Sequence, residues 1–119
     1  MKDSTPPSAI RKNWDVYERA GTWLFSNDTG ISSKTILAVI LGFPCDWKSP
    51  PSDPADFGRC YRLLKKIPEL RAELHQMRSE GDVWGALVDQ WDELEMLYEE
   101  ELPSGTAPKL YERMKQLGC

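Results

Sequence analysis

Between Asp82 and Pro103 the apolar residues Trp84, Leu87, Val88, Trp91, Leu94 and Tyr98 recur at spacings of three and four, and this stripe constrains the fold most. The period fits the 3.6-residue turn of an α-helix and not the alternation of a half-buried strand. Asp82 stands where an N-cap is expected, and Pro103, Ser104 and Gly105 break the run, so the spacing predicts a helix over about 83 to 101.

Proline, glycine and capping residues divide the rest of the chain. Residues 1–8 read as a flexible arm ahead of a single helical domain over 9–119. From Ala9 to about Ala20, Ile10, Trp14 and Tyr17 recur at helical spacing, and Gly21 is expected to interrupt the helix. Ser32 or Ser33 caps a short, largely buried helix over 33–41, with Gly42 after its end. Residues 43–53 hold Pro44, Pro50 and Pro51 and read as an irregular loop. Asp53 and Pro54 open a helix with a Phe57, Tyr61, Leu64 stripe, which Pro68 ends or kinks. Glu69 to Ser79 carries Leu70, Leu74 and Met77, and Gly81 stops it. A last helix, about Pro108 to Leu117, is expected to turn Leu110, Tyr111, Met114 and Leu117 inward. No segment alternates as a strand does. The fold class is therefore all-α, a small bundle of about five to six helices with a helix-turn-helix-like corner near residues 22–42.

Composition supports a packed core. The 119 residues are 40% hydrophobic and 29% charged, with five Trp, four Tyr and three Phe. Each buried aromatic removes roughly 150–250 Å² from water. The net charge of −4 opposes general adhesion to nucleic acid or to an anionic membrane. The N-terminus lacks a signal-peptide core, and the longest apolar run, Ile36 to Leu41, is too short to span a bilayer. Cys45, Cys60 and Cys119 form neither an even set nor a CxxC pair, which points to the cytoplasm; Cys45 and Cys60 read as packing residues. With His75 the only histidine, no metal site and no cofactor is expected. No nucleophile elbow or phosphate-cradling loop is present, so no catalytic residue is assigned and no enzyme is expected.

Two features remain for function. With Gly30 as the turn of a helix-turn-helix, Phe25, Ile31, Ile36 and Val39 fill the four apolar positions that lock such helices together, and Ser26 is the small residue at their contact. The outward positions would be Ser32, Ser33, Lys34, Leu37, Ala38 and Leu41. DNA readers present Arg, Lys, Asn or Gln there, and only Lys34 brings charge. A helical corner, a DNA contact through Ser32, Ser33 and Lys34, and a partner-covered face all fit this pattern.

The second feature is charge segregation. Asp82, Asp89, Asp92, Glu93, Glu95, Glu99, Glu100 and Glu101 share a stretch without Lys or Arg, whereas residues 59–78 carry Arg59, Arg62, Lys65, Lys66, Arg71 and Arg78. Either the basic helix packs beside the acidic one, or Asp92, Glu95, Glu99, Glu100 and Glu101 dock a basic partner surface, or the basic patch touches nucleic acid. The aromatic loop residues Phe43 and Trp47 are further docking candidates.

The strings Asp28-Thr-Gly-Ile-Ser-Ser-Lys-Thr-Ile36, Pro51-Ser-Asp-Pro-Ala-Asp-Phe-Gly-Arg-Cys-Tyr-Arg-Leu-Leu64, Pro68-Glu-Leu-Arg71, Trp91-Asp-Glu-Leu94 and Leu97-Tyr-Glu-Glu100 extend this reading. Over roughly residues 22–101 the chain resembles a family of small, uncharacterised proteins of tailed phages and prophages. The resemblance implies a small accessory protein that binds a bacterial host or phage protein, for example a defence nuclease or CRISPR complex that it inhibits. A small helix-turn-helix transcriptional regulator is the competing expectation.

Overall fold

The computed structural model describes residues 14–27, 29–41, 54–81 and 83–117. The arm over 1–8, the predicted helix start at Ala9, the loop with Phe43 and Trp47, and the caps Asp53 and Asp82 lie outside the described residues. Six α-helices and no strand occur among the described residues: α1 (Trp14–Ser26), α2 (Ser33–Leu41), α3 (Pro54–Leu64), α4 (Pro68–Glu80), α5 (Val83–Glu101) and α6 (Pro108–Gln116). A single 3-10 turn, Leu102–Ser104, links the last two helices.

The long amphipathic helix α5 is the spine, packed by α3, α4 and α6, while α2 rests on α3 and α1 on α2 and α4. Leu87, Val88, Trp91, Leu94 and Tyr98 are buried along it, as their spacing requires, and the Trp91 ring lies 5.6 Å from that of Tyr61 on α3. Fully burying one such side chain stabilises the fold by about 1.5–3 kcal/mol. Prolines mark starts: Pro54, Pro68 and Pro108 each stand at the first position of a helix. Pro68 thus opens α4 after α3 has ended at Leu64. Gly81 closes α4 in the left-handed region, at φ 77°, and its N–H donates to the Arg78 carbonyl.

Five expectations are corrected. The first helix does not stop at Gly21. It runs through to Ser26, because a Cβ at Gly21 would lie 3.1 Å from Ile36 Cγ2 and 3.4 Å from Ile40 Cδ1, so the missing side chain lets α2 approach. The corner between α1 and α2 keeps Ile31, Ile36 and Val39 buried, but Phe25 is 64% exposed and Leu24, at 1%, occupies the core. The buried arc of α1 is Tyr17, Ala20, Gly21 and Leu24, and Phe25 falls about 100° further round the helix. Ser26 is likewise exposed and donates its hydroxyl to the Thr22 carbonyl at 2.8 Å. Ala38 is fully buried rather than outward, and Tyr111 on α6 faces out beneath the Lys115 ammonium, 5.4 Å from its ring.

Candidate functional site

The acidic stripe of α5 is held by the molecule's own cations. Asp92 accepts the Tyr61 hydroxyl at 2.8 Å and the guanidinium of Arg78, and lies 3.6 Å from Lys65 Nζ. Glu95 takes Lys65 at 2.5 Å, Glu99 takes Arg62 at 3.3 Å, and Arg78 also reaches Asp89 at 2.9 Å. From α6, Lys109 meets Glu100 at 3.3 Å and Arg113 meets Glu93 at 2.9 Å. The basic helices α3 and α4 therefore lie beside the acidic one. Like-charge repulsion along α5, a few tenths of a kcal/mol per pair on an isolated helix, is offset across the seam.

Glu101 has a different job. It is buried, and its carboxylate accepts the backbone N–H groups of Lys109 at 2.9 Å and Leu110 at 3.1 Å. Those are orphan donors of α6, whose N-cap residue is Ala107 and has no side-chain oxygen to offer. The carboxylate also sits at the positive end of that helix dipole.

Around the corner, Ser32 is the N-cap of α2: its hydroxyl accepts the Thr35 N–H at 3.2 Å. Ser33 and Lys34 follow on the exposed first turn. These two helices carry several exposed large apolar side chains. Trp23 and Phe25 stand outward on α1 at 52% and 64% exposure, and Leu37 on α2 at 45%. Trp23 also walls an apolar groove of about 330 Å³ with Leu24, Leu63, Leu64, Ile67 and the stem of Lys66. The sequence reading missed Trp23 and Phe25 as surface residues; only their offset from the Tyr17, Gly21, Leu24 arc marked them.

Cys60 is fully buried in α3. Burial, with a smaller push from Asp56, raises its thiol from 9.0 to about 12, against the opposing pull of Arg59. The Tyr17 and Tyr61 phenols are also raised well above 10.0, by burial first and then by Glu73 and Glu95 respectively. Each group is held protonated in the fold and ionises more readily in the unfolded chain. Their stabilisation is therefore complete below about pH 9 and is lost as pH rises toward the folded values. Thermal melts followed by circular dichroism should show a midpoint that falls steadily above pH 9. A flat alkaline profile would contradict the burial of these three groups. By the same burial Cys60 is not a nucleophile.

Among the described residues no group of three or more His, Cys, Asp or Glu side chains could hold a metal ion, and no helix is long and apolar enough to cross a membrane. No protein-family model, no curated protein and no solved structure matches this chain.

Proposed function

We propose that the protein is a non-enzymatic, phage- or prophage-encoded accessory protein of the bacterial cytoplasm. It covers part of a host or phage protein, and its target class is host defence machinery such as a nuclease or CRISPR complex. The origin and target class rest on the resemblance of roughly residues 22–101 to a family of small phage and prophage proteins. The binding reading is carried by one observation: Trp23, Phe25 and Leu37 are exposed on α1 and α2, and Trp23 walls an apolar groove. Large exposed aromatics are costly in a free surface and enriched at the centres of protein interfaces. The groove suits an apolar side chain of the partner. The acidic candidates Asp92, Glu95, Glu99, Glu100 and Glu101 already hold internal partners, so this apolar surface takes precedence over them.

The test is affinity capture from nuclease-treated bacterial lysate by the wild type and by a Trp23→Asp, Phe25→Asp variant. Both residues are exposed, so helical circular dichroism should be unchanged while the captured partner falls roughly tenfold or more. Equal capture by the variant would remove this surface from the reading.

A second reading, a DNA-binding regulator using Ser32, Ser33 and Lys34, draws on the exposure of Ser33 and Lys34 at the first turn of α2. It requires duplex binding that weakens steeply with salt and is lost on Lys34→Glu. Absence of binding at low salt would sink it.

A further inference from the structure

The seam between α3, α4 and α5 leaves one electrostatic remainder. A recess of about 110 Å³ opens where these helices meet, lined by Tyr61, Lys65, Arg71, His75, Arg78 and Asp92 among others. Three permanent cations and the chain's single histidine thus border a space that contains one carboxylate. That carboxylate is committed, since Asp92 already receives the Tyr61 hydroxyl, the Arg78 guanidinium and Lys65. Lys65 and Arg78 are in turn served by Glu95 and Asp89. Arg71 and His75 are not: among the described residues neither has a hydrogen bond or an ion pair.

Arg71, His75 and Arg78 fall at spacings of four and three along α4, so they share one edge of the helix. Basic side chains so placed repel one another by a few tenths of a kcal/mol per pair unless a counter-charge joins them. At Arg62, Lys65 and Arg78 a carboxylate of α5 fills that place. At Arg71 and His75 no carboxylate does.

We propose that this recess binds a phosphate-class oxyanion, with Arg71 and His75 as its direct donors. A guanidinium offers two parallel N–H groups to adjacent phosphate oxygens. An imidazole beside it supplies a further N–H donor. The recess is small, about 110 Å³, so one phosphate group is the unit recognised. It comes either from a free phosphate compound or from a nucleic-acid backbone.

Inorganic phosphate titrated into the intact protein at about pH 6, with chloride at matched ionic strength as control, tests this. The His75 imidazole resonances are the readout, unambiguous because the chain has one histidine. The expected result is a saturable shift with phosphate but not chloride, with half-saturation in the millimolar range or below. Arg71→Gln should weaken it at least about fivefold while leaving the helical signal intact, since Arg71 is exposed. A shift that matches chloride, or a saturable one indifferent to Arg71→Gln, would overturn the proposal. A short DNA duplex added to the phosphate complex then separates the sources: displacement of phosphate at His75 assigns the backbone, and no displacement assigns a free phosphate compound.

Discussion

Replacing Gly58 by alanine is expected to destabilise the protein by about 2 kcal/mol or more, although alanine is the better helix former by about 1 kcal/mol. Gly58 lies inside α3, where the helix crosses α5. A Cβ there would sit 2.3 Å from Tyr98 Cβ, 2.7 Å from its Cγ and 3.2 Å from Cδ2. The first of those atoms is bonded directly to the α5 backbone and cannot swing aside, so relief requires the two helices to separate. They share the most extensive helix–helix contact in the molecule, and moving them loosens the packing around Phe57 and Tyr61. A loss of that size should lower the melting midpoint by roughly 8 °C. Gly21→Ala is the comparison, since it meets only methyl groups of Ile36 at 3.1 Å and Ile40 at 3.4 Å, contacts that small shifts relieve. Its effect should be clearly smaller. A Gly58→Ala variant that melts higher than wild type, as propensity alone dictates, would contradict the α3–α5 contact.

Trp91→Ala should cost about 3–5 kcal/mol, the range for emptying a large aromatic site in a core. Trp91 is 1% exposed at the centre of α5 and packs against Tyr61. Domains of this size have only about 5–15 kcal/mol in total, so the variant should be partly unfolded at growth temperature or melt far below wild type in urea and heat. Trp23→Ala removes the same side chain from a half-exposed site and should shift stability by no more than about 1 kcal/mol. Urea titrations of the two variants decide this. Equal losses would mean that the core and the surface have been assigned the wrong way round.

That pair marks where sequence reading stops. Pattern alone places Trp91 on an apolar stripe, because Leu87, Val88, Leu94 and Tyr98 surround it at three and four. Trp14 and Trp23 belong to a helix whose stripe is short and interrupted by glycine, and nothing local says which side is buried. The shift from Phe25 to Leu24 at the corner has the same origin. The apolar spacing of a helix-turn-helix admits either residue, and the choice follows from how α2 seats against Gly21.

The charged surfaces divide similarly. Segregation of acidic and basic residues was legible, but its meaning was not, since an acidic helix offers the same sequence whether its counter-charges come from a partner or from its own chain. The structure supplies them through Arg62, Lys65 and Arg78, and leaves Arg71 and His75 unserved. Glu101, one more acid in the run, proves to be the cap of α6 from eight residues upstream of Lys109.

By itself the sequence determined the all-α class, the helix bounds at Ser33, Pro54, Gly81 and Pro108, and the buried stripe of α5. Those are local: φ limits at proline, left-handed freedom at glycine, and a 3.6-residue period act within a few residues of the chain. Only the tertiary structure decided that Gly21 continues a helix, that Phe25 is outside, and that α5 finds its cations within the molecule. Each of those depends on the approach of segments distant in sequence, where a missing Cβ or a facing charge gains its value from a neighbour the local pattern does not contain.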